Sequence, residues 1–308
     1  MLDIAIGSSP YEHFYLLRET RERTLSLRDI MGSVIKPGMS VLDLGTGALG
    51  ILAIMAAKMG ATRVVGVDYG NVKMARVLAE QNDVNIEFIE KDFKDLDLNG
   101  EKFDVILGMI YVHEPWYNND QQINFKKCVE LFGHENTILI PDHIEYTGTG
   151  CGFGDINASG LYDDIALVEE DCGLGINLNY LKNPDSFYYK KFLFESLMPR
   201  AIGDVVKEFA KYEVLSESAN LAYLDYSSEN ALQERPKTID LKIISDGWLT
   251  AIRWDMAIMH KDKLIRKAGH PSQIQNPRKV KTGDIVTISI PQDTSAWIMS
   301  RGKVSICG

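Results

Sequence analysis

No stretch of this 308-residue chain approaches the roughly eighteen consecutive apolar residues that a membrane-spanning helix needs. The opening residues, Met1-Leu2-Asp3-Ile4, carry neither the basic nor the apolar region of a secretory leader, so the expected compartment is the cytoplasm. Cysteine is scarce. Cys128, Cys151, Cys172 and Cys307 stand far apart with no C-x-x-C pair, which points away from a zinc site and from a disulfide framework. Positive charge is not in surplus either. With 33 Lys and Arg against 43 Asp and Glu, the formal net charge is −10, which argues against the clustered cations of a nucleic-acid footprint. That charge is compatible with a cationic substrate, and equally with solubility alone. Neither a membrane nor a nucleic acid is an expected partner, and no metal is expected. Internal repeats and low-complexity tracts are lacking too. What remains is 45% hydrophobic and 25% charged, the composition of a soluble globular protein with room for one large or two ordinary domains.

Against that background one segment stands out. Val41-Leu42-Asp43-Leu44-Gly45-Thr46-Gly47, an apolar helical stretch and Val64-Val65-Gly66-Val67-Asp68 read as strand, glycine turn, helix and strand. Glycines let backbone pass close to a ligand, and the helix that follows offers free N–H groups. Asp68, closing the second strand, is placed to accept hydrogen bonds from a ribose diol. Gly45-Thr46-Gly47-Ala48-Leu49-Gly50 is formally a G-x-G-x-x-G, which alone is weak. Asp43 separates the two cofactors that such a turn can hold. A carboxylate there would face the pyrophosphate of a nicotinamide dinucleotide as a like charge. It suits a cofactor that carries an ammonium and a sulfonium, S-adenosylmethionine. The segment closely resembles the first motif of the class I methyltransferases, in which an acid precedes a glycine-rich turn. Those turns usually have a third glycine two positions after the second; here that position is Leu49 and the glycine falls at Gly50, so the turn is expected to be one residue longer.

The next elements agree. Asn71 to Asn82 places Val72, Met74, Ala75, Val77, Leu78 and Ala79 on one broad helical face. Ile86 to Phe93 reads as a third strand running into a turn. The resemblance implies that an acid at this turn, Asp92, reaches the adenine amino group; otherwise Asp92 is a solvated member of the charged run Glu90 to Asp97. Phe103 to Gly108 is the fourth strand. Strands alternating with helices imply parallel pairing, right-handed crossovers and a ligand at the carboxyl ends, where Asp43, Gly45, Thr46, Gly47, Asp68, Asp92 and Gly108 fall.

Before the first strand, Ser9 to Met31 is aromatic and then charge-rich and helical. Past Pro141 the pattern changes. Asp155 to Leu197 is irregular, with short helices expected at Leu161 to Glu170 and Tyr188 to Ser196. From Tyr212 onward the reading is β: Thr238 to Ile244 alternates at period two, and Trp248 to Ile258, Ile285 to Ile290 and Trp297 to Met299 are strand runs. Turns fall at Asp246-Gly247 and Thr282-Gly283-Asp284. The expected architecture is α/β: residues 1–140 as N-terminal helices with a Rossmann-like cofactor sheet, and 141–308 as a β-barrel domain.

This order resembles the protein arginine methyltransferases. Tyr11-Glu12-His13-Phe14 is similar to the family's N-terminal Y-x-H-F segment, and Arg23-Thr24-Leu25 to the helix whose arginine holds the cofactor's carboxylate. Pro141-Asp142 resembles the start of the family's barrel. Asp240-Leu241 with Gly247-Trp248 to Asp255 resembles the barrel strand before its T-H-W loop, Gly269-His270-Pro271 falls where that loop would be, and Lys281-Thr282-Gly283-Asp284 resembles the next turn. The resemblance implies that His13 and Arg23 join the cofactor site, that a dimerisation arm lies at about 155–200, and that the chain forms a homodimer.

The catalytic loop departs from the family. Where arginine methyltransferases carry two glutamates that grip a guanidinium, this chain has Met109 and Asn118, with Glu114 between them in Met109 to Tyr117. The family's T-H-W tryptophan is Pro271 here, and the acid expected beside the loop histidine falls near Thr20. Glu114 remains able to orient an amine or guanidine, His113 or His270 to accept a proton near neutral pH, and Trp116 and Tyr117 to wall a cationic acceptor, with Met109 and Asn118 beside them. Each also has a plain structural reading: exposed loop, turn chemistry or packing. His134 reads as a surface helix end. Gly150-Cys151-Gly152 has the look of a nucleophile turn without a partner residue. The expected activity is S-adenosylmethionine-dependent N-methylation of an arginine-like or amine group. The alternatives are a catalytically inactive cofactor-binding regulatory partner and a nicotinamide oxidoreductase.

Overall fold

The computed structural model describes residues 9–111, 120–156, 210–227, 236–290 and 304–307. Among the described residues, no helix is long and apolar enough to cross a membrane. The chain divides into two compact units that each gather distant segments. The first comprises Met1–Glu145, Ala222–Glu234 and Ala257–Lys267; the second comprises Tyr146–Leu221, Arg235–Met256 and Ala268–Gly308.

The charge-rich N-terminal stretch forms two helices, α1 (Pro10–Glu19) and α2 (Arg21–Val34), and α2 buries Leu27, Ile30 and Met31. A five-stranded parallel sheet follows: β1 (Ser40–Leu44), β2 (Arg63–Asp68), β3 (Glu87–Glu90), β4 (Val105–Leu107) and β5 (Ile138–Ile140), in the order β3-β2-β1-β4-β5. The order reverses at β1, so β1 and β4 flank a topological switch point, the place where open α/β sheets take up ligands. Val41, Leu42, Leu44, Val64, Val65 and Val67 are fully or nearly fully buried, as strands covered on both faces require.

Helix α3 (Ile51–Lys58) packs on β1 and β2, burying Ala53, Ile54 and Ala56. Helix α4 (Lys73–Gln81) is shorter than the expected span, and its buried face is narrower. Val72, Ala75 and Ala79 turn inward, while Met74 and Val77 remain 42% and 48% exposed. Helix α5 (Asp120–Phe132) precedes β5. His134, beyond α5, places Nε2 3.4 Å from Asp104.

The remaining described strands form two more sheets. One has the order β10-β9-β6-β7, from β6 (His143–Ile156), β7 (Ala210–Asp225), β9 (Gly247–His260) and β10 (Lys263–Val280); the other, β12-β11-β8, is antiparallel and built from β8 (Thr238–Lys242), β11 (Ile285–Ser289) and β12 (Ser305–Ile306). Ser216 of β7 bridges to Ile243, just past β8, and Ile274 of β10 bridges to Val304, just before β12. These two bridges join the sheets at both margins into a ring. The expected β-barrel is therefore present among the described residues, its two sheets joined at each margin through a single bridged pair.

Trp254, Leu249, Leu241, Ile239, Val286 and Ile288 fill the ring's interior. Trp254 donates its indole N–H to the Ser272 hydroxyl at 2.7 Å, which satisfies both groups where water is excluded. The strand face opposite Trp254 must be bare: a Cβ on Gly148 would come within 2.8 Å of Trp254 Cζ3. The turn at Lys281 to Asp284 forms as expected, with Asp246 accepting from the Thr282 backbone and hydroxyl at 2.8 and 3.0 Å. Gly150-Cys151-Gly152 lies within β6, and burial pushes the Cys151 thiol up to about 11, so it is packing rather than a reactive turn.

One expectation changes. Gly269-His270-Pro271, read as a barrel loop, lies inside the continuous strand β10. The helices expected at Leu161 to Glu170 and Tyr188 to Ser196, the strand at Trp297 to Met299 and nearly all of the arm at about 155–200 lie outside the described residues. Gly148→Ala should destabilise the protein by roughly 1–3 kcal/mol through overpacking against the indole, read as a lower urea midpoint. An unchanged midpoint would mean that Trp254 yields at no cost.

Candidate functional site at the glycine turn

The turn after β1 is pinned to β2. Gly45 and Thr46 both donate their N–H to Val67 O, at 2.8 and 3.0 Å. Gly45 and Gly47 have φ of +73° and +70°, a region open to glycine at little cost. A side chain at Gly47 is excluded twice over, because a Cβ there would lie 2.5 Å from the ring of His13 on α1. The displaced third glycine has its own task. Gly50 caps α3 in a left-handed conformation, and the Phe88 ring fills the space that a Cβ would need.

The turn's donors are largely committed within the chain. Gly47 N–H donates to Asp68 Oδ2 at 2.8 Å, and Gly70 N–H to Asp68 Oδ1 at 2.8 Å. Leu49 N–H donates to His13 Nδ1 at 3.2 Å. Asp68 is therefore fixed at the carboxyl end of β2 with lone pairs still free on both oxygens.

Asp43 lies beneath the turn and only 1% of it is exposed. Its Oδ2 accepts the Thr46 hydroxyl at 2.6 Å. Burial pushes its carboxyl up from 3.8 to about 7; the hydrogen bonds from Thr46 and from the Ala53 backbone pull the other way, and nearby Asp68 adds to the rise. Asp43 thus braces the turn from inside, instead of standing at an open face as its sequence position implied.

His13 and Arg23 form the second feature, at 9% and 8% exposure. Burial, with the Arg23 charge as a lesser cause, holds the His13 imidazole down at about 4, so it is neutral at ordinary pH and accepts from Leu49. Among the described residues, Arg23 Nε is buried with no hydrogen-bond partner. A buried guanidinium N–H without an acceptor is costly, and an anionic oxygen is the group that relieves it.

Three more of the expected residues, Asp92, Gly108 and Met109, are among the described ones. Asp92 caps a single 3₁₀ turn (Phe93–Asp95), accepting Lys94 N–H at 3.0 Å and pairing with the Lys94 ammonium at 3.1 Å, with 41% of its side chain exposed. Gly108, at the end of β4, is glycine because the Phe125 ring occupies its Cβ position. Met109 follows, half-buried. His113, Glu114, Trp116, Tyr117 and Asn118 lie outside the described residues, as does the His270 side chain.

Beside the turn stand groups that the sequence did not advertise. Ile110 Cδ1 lies 2.8 Å from where Gly45 would carry a Cβ. Tyr226 donates its hydroxyl to Ile110 O at 3.1 Å and meets Phe125 edge-on at 4.8 Å. Tyr226 is 116 residues from Ile110, so no local pattern could join them.

Residues 35–133, which include the turn and the parallel sheet through β4, match the family model described as a methyltransferase domain. This segment is a methyltransferase domain. A ribosomal protein L11 methyltransferase of Caldicellulosiruptor saccharolyticus is 43% identical over 95 residues, 30% of this chain and 30% of that protein. The alignment thus spans less than a third of that relative's length. Likeness over nearly the whole chain comes from solved structures. The Trypanosoma brucei PRMT1 enzyme–prozyme heterotetrameric complex with AdoHcy matches with a TM-score of 0.62 and 20% identity, covering 92% of this chain and 88% of that one. Arabidopsis thaliana protein arginine methyltransferase 10 matches with a TM-score of 0.61 and 18% identity, covering 91% and 87%. The methyltransferase domain and the barrel together therefore have the fold of the protein arginine methyltransferases.

The two perturbed groups give opposite pH dependences. Asp43, with its folded value above its unfolded one, contributes stability that is complete below about 3.8 and lost as pH rises through about 7. His13, held low, contributes stability present above about 6.5 and lost as pH falls through about 4. Asp43→Asn should therefore gain on the wild type in thermal denaturation as pH rises from 5 to 8. The gain should reach roughly 2–3 kcal/mol, because about two pH units of the displacement fall between pH 5 and about 7. A difference that stays flat with pH would show that Asp43 is not the group responsible.

Proposed function

We propose that the chain is an S-adenosylmethionine-dependent methyltransferase whose acceptor is a nitrogen of a guanidino or amine group, on a small molecule, a peptide or a protein. The observation that carries the cofactor is the buried Arg23 guanidinium with an unpartnered Nε beside His13 and the glycine turn. It fits the carboxylate of an amino-acid moiety. Asp68, with both oxygens positioned by backbone donors, is suited to a ribose diol. Committing Gly47 N–H and Leu49 N–H inside the chain leaves few donors for a pyrophosphate, which counts against the nicotinamide reading. Asp92 is assigned the adenine edge, with Gly45, Thr46, Gly47 and Gly108 shaping the crevice.

When bound, the cofactor supplies a methyl group on a sulfonium, open to in-line attack by a nitrogen lone pair. The chain's own part is to align that nitrogen and take up its proton. Glu114 is assigned the alignment, His113 or His270 the proton, and Met109, Trp116, Tyr117 and Asn118 the walls of the acceptor site. The arginine methyltransferases named among the fold relatives favour an arginine-like acceptor; the homodimer and its arm at about 155–200 are carried over from the sequence resemblance alone. The functional division is placed near residue 140, and the compartment is the cytoplasm.

A second reading has one observation in its favour. Met109 puts a thioether at the end of β4, where the resemblance calls for a carboxylate, which suits a cofactor-binding regulatory partner without turnover. One of the fold relatives is itself an enzyme–prozyme complex.

Calorimetry should detect S-adenosylhomocysteine binding and no NAD binding, and Arg23→Gln should weaken the former roughly 10- to 150-fold, the scale of one lost charge-assisted hydrogen bond. Equal affinity in the variant would remove Arg23 from the cofactor site. Incubating cell extract with methyl-labelled cofactor, followed by mass spectrometry, should reveal a labelled product; its absence favours the regulatory reading. Glu114→Gln should then slow turnover by at least ~10-fold. Retained full activity would strike Glu114 from the mechanism.

A further inference from the structure

Arg266, on β10, reaches a place that the proposed chemistry leaves unused. It donates from Nη1 to the Tyr111 hydroxyl at 2.6 Å, and its guanidinium carbon lies 5.7 Å from the Tyr111 ring centre. Tyr111 follows Met109 and Ile110 directly beyond β4. Ile110 in turn abuts Gly45 of the cofactor turn, and its carbonyl is held by Tyr226. Arg266 is therefore tethered one residue away from the contact between the strand end and the glycine turn. Among the described residues, no carboxylate lies within ion-pair distance of it.

A guanidinium engaged at Nη1 keeps its Nε–H and Nη2–H edge free. That edge is a planar two-pronged donor that matches an anionic pair of oxygens. One cation neutralises one negative charge, which fits a carboxylate better than a doubly charged phosphate. An arginine in the wall of the site would oppose a purely cationic acceptor as a like charge, and favours one that also carries a negative group.

We infer that Arg266, oriented by Tyr111, is a specificity-determining residue that holds a carboxylate of the acceptor. This rests on the methyltransferase reading and narrows it. The acceptor is then zwitterionic, a nitrogen nucleophile with a carboxylate a few bonds away, and not a uniformly basic peptide.

The test is calorimetric titration of the purified full-length protein with guanidinobutyrate, propylguanidine and guanidinopropyl phosphonate, each with and without S-adenosylhomocysteine. Guanidinobutyrate should bind at least ~10-fold more tightly than propylguanidine, as expected for a bidentate charged contact. Arg266→Gln should erase that preference while leaving S-adenosylhomocysteine affinity unchanged. Tyr111→Phe, which keeps the ring and removes the hydroxyl, should reduce the preference without erasing it. Equal binding of the two probes, binding of neither, a preference that survives in Arg266→Gln, or tighter binding of the phosphonate would each overturn the assignment. Failure of S-adenosylhomocysteine to bind would instead sink the cofactor reading, and the probe comparison without it judges Arg266 separately.

Discussion

The arrangement around β1 depends on keeping one carboxyl out of water. Asp43, next to last in the central strand, points inward, where Thr46 and the first turn of α3 donate to it. That placement sets the curvature of the glycine turn above it. The turn in turn presents Gly47 N–H to Asp68 and leaves room for His13. Removing an acid from solvent costs several kcal/mol unless it is protonated or well bonded. The chain bears this cost at the switch point of its sheet, where packing alone would have favoured a leucine. Such local expense at a ligand crevice is the usual mark of a constraint set by function.

The His13–Arg23 pair obeys the same logic from the other side of the crevice. A neutral imidazole accepts from the turn, and the buried guanidinium beside it has, among the described residues, no acceptor for its Nε–H. Both helices that carry these residues are short and N-terminal, and α1 leaves Tyr11, Phe14 and Tyr15 substantially exposed. The polar groups of the crevice thus come from elements separated in the sequence, tied by the close approach of the His13 ring to Gly47 and by the hydrogen bonds of His13 and Asp68 to the turn.

Much of the sheet is legible in the sequence because its signals are local. Buried parallel strands read as continuous runs of valine, leucine and isoleucine, and a glycine turn set between two such runs marks a strand-to-helix crossover. The barrel strands are legible through alternation at Thr238 to Ile244 and through the turn at Lys281 to Asp284. His13 is anticipated only through the family resemblance, and other features set by partners across the chain are not legible. Asp43 reads as a face of the crevice because position along the strand is visible, whereas the direction of its side chain depends on α3. The displaced glycine reads as a lengthened loop, yet Phe88 accounts for it by filling the vacated volume. Gly269-His270-Pro271 reads as a loop because the family resemblance puts its T-H-W loop there, but β10 runs straight through these residues. Arg266 gives no signal at all, being 155 residues from the tyrosine it meets.

The two bridges at Ser216–Ile243 and Ile274–Val304 carry a last implication. At those two points the backbone of neighbouring strands is already paired, so an incoming peptide or a second molecule cannot add its own strand there. Recognition there has to be a matter of side-chain surfaces, which sequence change can retune one residue at a time without disturbing the backbone beneath.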